Sequence, residues 1–204
     1  METMSTPETV LRENLPFRPL KRVEYDRLAA EGFFDDEKVE LLFGMVVPMA
    51  PIDPAHSTST EEAGELLRRC VGNRARVRIG NPLAASEISE PEPDVMVIPD
   101  LDYWREHPSK AFLVVEVSRS SLRRDKGIKS VLYGLAEVDE YWIVNHVEEV
   151  VEVYRDRHAG EWRQKSTHPR GDRIRMVAFP DVEIAVSDIL PPVDQPVDPP
   201  ADPR

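Results

Sequence analysis

Cysteine is almost absent from this 204-residue chain, in which Cys70 is the only one. A single cysteine excludes a disulfide framework and a multi-cysteine zinc site within one chain. No segment approaches the roughly 18 consecutive apolar residues that a membrane-spanning helix needs. The first 16 residues also lack the basic start and the apolar core of a signal peptide. We therefore expect a soluble, cytoplasmic protein with no membrane partner.

Positive charge is also scarce, because 26 lysines and arginines face 38 acids and the formal net charge is −12. Proteins that coat nucleic acids usually present a broad basic face, so the composition argues against that class. Basic residues nevertheless form two local clusters: Arg68, Arg69, Arg74, Arg76 and Arg78, and Arg119, Arg123, Arg124, Lys126 and Lys129. Two interpretations stay open, a solvated face of a helix or strand and a cationic rim that binds phosphates beside an acidic centre.

Glycine and proline indicate how the chain is organised. The nine glycines are scattered and form neither a phosphate-binding loop nor a dinucleotide fingerprint, so nucleotide-cofactor chemistry is not expected. Six of the 19 prolines lie in PPVDQPVDPPADPR, and we interpret residues 191–204 as a disordered Pro/Asp-rich tail. We interpret residues 1–16 as flexible as well, and residues 17–190 as one domain of ordinary size.

The remaining pattern interleaves strands with helices. Helical spacing occurs in VEYDRLAAEG, over roughly residues 56–71 and in SSLRRDKGIKSVLYGLA. The segment VELLFGMVVPMAP predicts two short strands joined at Phe43 and Gly44. Further strand patterns occur in RARVRIGNPL, PDVMVIPD, AFLVVEVS, YWIVN and EEVVEVYRD. The segments EWRQKSTH, RIRMVAFP and VEIAVSDIL predict further short strands that complete the sheet. We therefore predict an α/β or α+β fold with a central mixed β-sheet flanked by helices.

A carboxylate interrupts the most apolar strand, AFLVVEVS. Side chains alternate along a strand, so Val114, Glu116 and Ser118 share one face and the residues between them share the other. Burying a carboxylate is costly unless it is paired, protonated, hydrogen-bonded or bound to a metal. Two explanations of Glu116 stay open, an ion pair with a nearby arginine and a metal site.

A second acid, Asp94, opens the apolar strand DVMVIP beside the turn EPEP. Aspartate is a common turn residue, so Asp94 alone needs no further explanation. If the two strands are neighbours in the sheet, however, Asp94 and Glu116 converge. Two carboxylates, a backbone carbonyl and water suit Mg²⁺, or Mn²⁺ in its place, because hard cations prefer oxygen ligands and Mg²⁺ retains several waters.

The helix after Glu116 presents two lines of side chains. Its apolar stripe, which we expect to face the sheet, comprises Ile128, Val131, Leu132 and Leu135. An adjacent line with a spacing of four residues comprises Asp125, Lys129 and Tyr133. Phosphodiester hydrolysis needs a positive group near the metal, and a lysine on this second line would supply it. A surface ion pair between Asp125 and Lys129 explains the same spacing equally well.

Three separated segments occur in a fixed order: VELLFGMVVPMAPIDPAH, PEPDVMVI and LVVEVSRSSLRRDKGIKSVLYGLAEVDEYWIVN. Together they resemble the Uma family of proposed endonucleases, which belongs to the PD-(D/E)XK nuclease superfamily. The resemblance covers approximately residues 20–190, and its motifs are PD, EV-S-S, D-x-x-x-K-x-x-x-Y and EYW. It implies a restriction-endonuclease-like fold.

The resemblance also implies a catalytic role for four residues. Asp94 and Glu116 would hold the metal, and Glu40 in VELL matches the acidic residue from the N-terminal part of the family. The superfamily motif places a lysine two residues after the second acid, where this chain has Ser118. The lysine of the resembling family comes from the following helix and matches Lys129.

Two further residues stay outside this catalytic set. Lys126 lies three residues before Lys129 and off its line, so it is the less favoured substitute. His56 begins the helix after the proline-rich turn, where it could approach the site, but a helix-start or packing role explains it equally well.

The implied function is a Mg²⁺-dependent endonuclease that hydrolyses phosphodiester bonds in DNA. DNA is then the expected partner, and homodimer formation is left open. The alternative is a catalytically silent module of the same fold that binds nucleic acid or protein, which the net charge of −12 and the displaced lysine favour. The presence of Asp94, Glu116 and Lys129 together favours the enzyme, because a module that only binds needs no metal-binding acid pair. A metal-dependent hydrolase of another substrate also stays open, since a fold does not fix its function.

Overall fold

The computed structural model describes residues 17–193, so the predicted flexible segment 1–16 and residues 194–204 of the predicted tail lie outside the described residues. The helices are α1 (Arg22–Ala30), α2 (Pro54–Val71), α3 (Leu122–Arg124) and α4 (Ser130–Leu135). Within residues 17–193, no helix combines the length and the apolar character that crossing a membrane requires.

Twelve strands accompany these helices in the described part of the chain. They are β1 (Val39–Leu42), β2 (Met45–Pro48), β3 (Arg76–Ile79), β4 (Val95–Ile98), β5 (Lys110–Ala111), β6 (Leu113–Ser118), β7 (Glu137–Val138), β8 (Tyr141–Asn145), β9 (Val150–His158), β10 (Glu161–Pro169), β11 (Arg173–Arg175) and β12 (Glu183–Ala185). Short 3₁₀ turns cover Gly72–Arg74 and Val186–Asp188.

Six of these strands form the central sheet, in the order β10-β9-β8-β6-β4-β3. Strands β6 and β8 are parallel, and the other neighbours are antiparallel. The helical segment from α3 to α4 forms the crossover between the two parallel strands, which a short hairpin could not connect. The predicted central mixed sheet flanked by helices is confirmed.

Each face of the sheet buries its own apolar cluster. On β6, Val115 and Val117 pack in one cluster with Leu67 of α2. Val114 packs on the opposite face with Leu132 and Tyr133 of α4. The alternation predicted for this strand is therefore present, and it puts the carboxylate that interrupts β6 on the side of α4.

The last two strands do not complete the sheet, contrary to the prediction. Strand β10 forms one edge of the central sheet by pairing with β9, whereas β11 and β12 pair with each other in a separate two-stranded sheet. Their opposed apolar residues, Ile174 and Ile184, are buried in the cluster on the α2 side. The prediction was wrong because alternating apolar residues specify a face to bury but not the strand with which to pair.

The apolar stripe predicted for the helix after β6 is confirmed only in part, because Leu132 is buried and Ile128 packs against the same cluster, whereas the other two members are exposed. A π-helical turn, Asp125–Lys129, separates α3 from α4, and Val131 and Leu135 are 47% and 57% exposed. The buried line is the polar one with a spacing of four residues: Asp125, Lys129 and Tyr133. A π turn closes with hydrogen bonds between residues five apart, so it shifts which side of the following helix faces the sheet relative to a continuous α-helix.

Candidate active site

Asp94 and Glu116 lie opposite each other across two antiparallel strands. Val95 of β4 pairs with Val115 of β6, and the same register one residue further along sets Asp94 across from Glu116. Opposed residues of an antiparallel pair direct their side chains to the same face. The main-chain N–H of Val117 also donates to Asp94 Oδ2 at 2.7 Å. Both acids border one cavity.

Glu116 is almost fully buried, with 3% of its surface exposed. Its Oε1 accepts hydrogen bonds from Lys129 Nζ at 3.0 Å and from the Tyr133 hydroxyl at 2.6 Å. Burial, opposed by the ammonium of Lys129, raises the pKa of Glu116 well above its ordinary value. Of the two explanations left open for this carboxylate, an ion pair is present, but its partner is a lysine and not an arginine.

Lys129 connects Glu116 to the third acid. Its Nζ lies 3.0 Å from Glu116 Oε1 and 3.2 Å from Glu40 Oε2. Burial lowers the pKa of Lys129, but the two carboxylates outweigh it and raise the pKa above the ordinary value. Lys129 is therefore protonated at neutral pH. Lys126, in contrast, pairs with Glu152 at 2.7 Å and is not among the residues that line the cavity.

Glu40 enters the cavity from the β1–β2 hairpin. It is 1% exposed, and its Oε2 also accepts a hydrogen bond from the main-chain N–H of Glu92 at 3.4 Å. Glu40 Oε1 is buried without a hydrogen-bond partner among the described residues. Arg124 Nη1 lies 3.6 Å from this oxygen. One oxygen of Glu40 thus remains available at the cavity.

Asp125 and Lys129 do not form the surface pair that their spacing allowed. Both side chains are buried, and Asp125 Oδ2 accepts a hydrogen bond from Ser118 Oγ at 2.5 Å. Burial raises the pKa of Asp125. Ser118, which occupies the superfamily's lysine position, therefore fixes the π turn that delivers Lys129 to the sheet.

His56 reaches the site from the first turn of α2. Its Nε2 lies 3.2 Å from Asp94 Oδ2, and its main-chain N–H donates to Asp53, the N-cap residue, at 2.8 Å. Burial lowers the pKa of His56, but its contact with Asp94 raises it more strongly, so the pKa lies above the ordinary value. His56 therefore lies in the first turn of α2 and also contacts one of the acids.

Two arginines form a cationic rim. Arg119 and Arg124 line the cavity together with the acids. Arg124 Nη1 donates to the carbonyl of Pro48 at 3.2 Å, and Arg119 Nη1 lies 3.5 Å from Asp53 Oδ2. From the sequence, these arginines are recognisable only as members of a basic cluster. The position of Arg124 at the cavity depends on how the β1–β2 hairpin packs. In the other basic cluster, ion pairs join Arg68 to Glu65, Arg74 to Asp181 and Arg76 to Asp100.

Asp94 and Glu116 each have one carboxylate oxygen that could hold a divalent cation if water supplied the other ligands. On Asp94, the contacts with Val117 and His56 both meet Oδ2, which leaves Oδ1 as a ligand oxygen. On Glu116, the two hydrogen bonds meet Oε1, which leaves Oε2. Among residues 17–193, no three or more His, Cys, Asp or Glu side chains are arranged as a ready-made metal cluster. Water would therefore complete the shell, as Mg²⁺ favours.

Comparisons with known proteins identify the family and the fold of the chain. The Uma2 family model, described as "Putative restriction endonuclease", matches residues 22–187. A solved structure, that of "a putative nuclease belonging to DUF820" from Anabaena variabilis ATCC 29413, has a TM-score of 0.66 at 16% identity, covering 84% of this chain and 97% of that chain. No curated protein matches. The solved structure confirms the predicted restriction-endonuclease-like fold, and the family match, which spans most of the chain, shows that the chain belongs to the Uma2 family.

Proposed function

We propose that the chain is a metal-dependent endonuclease that hydrolyses phosphodiester bonds in DNA, with Mg²⁺ or Mn²⁺ held by Asp94 and Glu116. One observation carries the proposal: the buried, protonated Lys129 lies between the carboxylates of Glu116 and Glu40. Asp94 lines the same cavity. A fold that only bound a partner would have no need to bury Glu40, Glu116 and Lys129 beside a partly exposed Asp94 at one opening. The descriptions of the family and of the solved structure also support nuclease chemistry.

Each residue of the site has a distinct task in this proposal. Lys129 orients the attacking water or offsets the negative charge that develops on the phosphate, for which a fixed ammonium is suited. Glu40 assists by holding the Lys129 ammonium at 3.2 Å. Arg124 is placed to bind phosphate oxygens at the mouth of the cavity. A cation held by the acid pair would supply Lewis acidity and a bound water of lowered pKa.

The test is to incubate the purified protein with supercoiled, linear and single-stranded DNA in Mg²⁺, in Mn²⁺ and in EDTA. We expect cleavage with either metal and none in EDTA. Asp94→Asn and Glu116→Gln should weaken Mn²⁺ binding in a calorimetric titration. Lys129→Ala should retain Mn²⁺ binding but lose most cleavage, when assayed at a temperature at which circular dichroism shows it folded. Lys126→Ala is the matched control and should cleave like the wild type.

The main alternative, a silent binding module, predicts a different pattern. Such a module would bind DNA or protein without cleaving any of the three DNA forms, and Lys129→Ala would then affect stability alone. Cleavage that persists in EDTA, or cleavage that Lys126→Ala removes and Lys129→Ala leaves intact, would contradict the proposed roles.

A further inference from the structure

A second cavity, of about 160 Å³, adjoins the candidate active site. It shares with the first cavity the residues Met49, Ile52, His56, Glu92 and Asp94. The His56–Asp94 contact thus lies on the boundary between the two cavities. A substrate whose phosphate reached the acids would have its next chemical group at the entrance of this second cavity, which we call the side cavity.

The walls of the side cavity are largely apolar. Ile79 at the end of β3 and Met49 and Ile52 after β2 supply aliphatic side chains. Gly64 of α2 allows Ile79 to lean against the helix, because a Cβ at Gly64 would collide with the Ile79 side chain. Gly80 also lines the side cavity, and a Cβ built there meets no atom within 4 Å. The polar residues Lys38 and Glu92, 4.0 Å apart, lie at the same opening.

The α2 wall adds two polar groups with unused hydrogen-bonding capacity. Thr60, of which 8% is exposed, lines the side cavity one helical turn after His56. Thr60 Oγ1 and His56 Nδ1 are both buried without a hydrogen-bond partner among the described residues. Threonine in a helix divides between two χ1 rotamers, so rotation of Thr60 would exchange its methyl group for its hydroxyl at the wall. The wall can therefore offer a hydrogen bond to a ring edge.

The size of the side cavity favours part of a substrate over a separate ligand. Pockets that enclose whole small molecules measure about 300–1,000 Å³, which is well above 160 Å³. In a nucleic acid, the group next to a phosphodiester that has flat apolar faces and a polar edge is the nucleobase. Resting on the proposed function, we propose that the side cavity receives the unstacked base of the nucleotide next to the scissile phosphate. The substrate is then single-stranded at that nucleotide or has the base extruded from the helix.

Binding can test this subsite without catalysis. The probe is a thymidine trinucleotide whose central base is replaced by fluorescent 2-aminopurine, titrated in EDTA and in Ca²⁺. We expect a saturable fluorescence change with the wild type. Ser57→Leu, which fills the side cavity from the exposed surface of α2, should weaken binding about tenfold, in the range expected when one base loses its apolar contact. Thr58→Leu, a neighbour on the same helix outside the side cavity, is the control and should bind like the wild type. Equal binding by all three proteins, or no binding by any of them, would overturn the proposal.

Cleavage provides a second, independent measurement. On an oligonucleotide whose cleavage position has been mapped, an abasic analogue placed beside the scissile phosphate should lower kcat/KM about tenfold for the wild type. The same analogue should change kcat/KM little for Ser57→Leu, because this variant has already lost the contact that the analogue removes. Additive effects would show that the base binds elsewhere. If no DNA is cleaved but the trinucleotide result holds, the endonuclease proposal fails, and the side cavity stands as a base-binding site without a scissile phosphate beside it.

Discussion

Lys129 gives up the hydration of its ammonium for contacts with Glu116 at 3.0 Å and Glu40 at 3.2 Å. All three residues are at most 5% exposed. Removing charges from water costs several kcal/mol for each ion, and their attraction compensates only while both partners are present. The site is therefore coupled to folding, and a change to its lysine affects stability as well as chemistry.

We predict that Lys129→Ala lowers the free energy of unfolding by about 3–5 kcal/mol at neutral pH, because it leaves two buried carboxylates without their cation. Urea denaturation in EDTA measures this change. Lys126→Ala removes an ion pair that is 35% exposed on the lysine side, so it should cost less than about 1 kcal/mol. A similar small loss for both variants would indicate that Lys129 is hydrated and that the carboxylates do not depend on it.

Another buried acid, Glu90, lies behind the site beside β1. Burial and the nearby carboxylate of Asp26 raise the pKa of Glu90 to about 7, although Arg22 opposes the shift and Glu92 adds to it. Arg22 Nη1 is 3.7 Å from Glu90 Oε2, which is too long for a hydrogen bond. The folded state thus binds a proton on Glu90 more tightly than the unfolded chain does.

The sign of the pH dependence follows from linkage. Because the pKa of Glu90 is higher in the folded protein, its contribution to stability is complete below about pH 4.5 and is lost as the pH rises to about 7. The loss amounts to roughly 3 kcal/mol at most. Glu90→Gln should remove this component, so the difference between variant and wild type in urea denaturation should grow in favour of the variant from pH 5 to pH 8. A constant difference would contradict the shifted pKa.

At the scale of elements, β6 and the π turn together build the site. Glu116 and Ser118 lie on one face of β6, and the turn contacts both, through Lys129 to Glu116 at 3.0 Å and through Asp125 to Ser118 at 2.5 Å. The alternation of β6 and the four-residue spacing could be predicted from the sequence, because both are local patterns. The π turn could not, since an α-helix with an apolar stripe fits the same residues and only packing against the sheet favours the wider turn.

Two glycines of the helical segment, Gly127 and Gly134, allow a test of how closely each part of it is packed. Gly127 in the π turn is exposed, and a Cβ there meets no atom within 4 Å. We predict that Gly127→Ala raises the free energy of unfolding by about 0.5–1 kcal/mol, because it restricts the unfolded chain, and leaves cleavage unchanged.

Gly134 in α4 is the matched contrast. A Cβ there would approach the carbonyl oxygen of Gly160 to 2.7 Å, so Gly134→Ala should lower the free energy of unfolding by about 1–3 kcal/mol through overpacking. Urea denaturation measures both variants. If Gly127→Ala were as harmful as Gly134→Ala, the π turn would have to be strained or closely packed where the structure has open space.

At the scale of the molecule, the charge around the site differs from the net charge of the chain. The chain has a net charge of −12, yet Arg119, Arg124 and Lys129 line one cavity. Sequence could identify the cluster that contains them but not which members face the acids, because Arg123 and Lys126 alternate with them along the same helical segment. That distinction depends on the β1–β2 hairpin, whose Pro48 carbonyl and Glu40 carboxylate contact Arg124.

The last prediction concerns how an acidic protein holds a polyanion. Each cationic side chain that neutralises a phosphate adds about 0.9 to the magnitude of the slope of log K against log salt for duplex DNA. We predict that Arg124→Gln reduces the magnitude of that slope by about one. Fluorescence anisotropy of labelled DNA at a fixed Ca²⁺ concentration measures it.

Arg123→Gln is the control, because Arg123 is exposed and is not among the residues that line the cavity. Both variants lose one positive charge, so a general effect of net charge would change the two slopes equally. A loss confined to Arg124→Gln would mean that the phosphate is bound at the rim of the cavity and that the rest of the acidic surface repels the DNA. Equal losses would instead mean that DNA follows the outer face of the helical segment, away from Asp94 and Glu116, and the endonuclease proposal would lose its binding site.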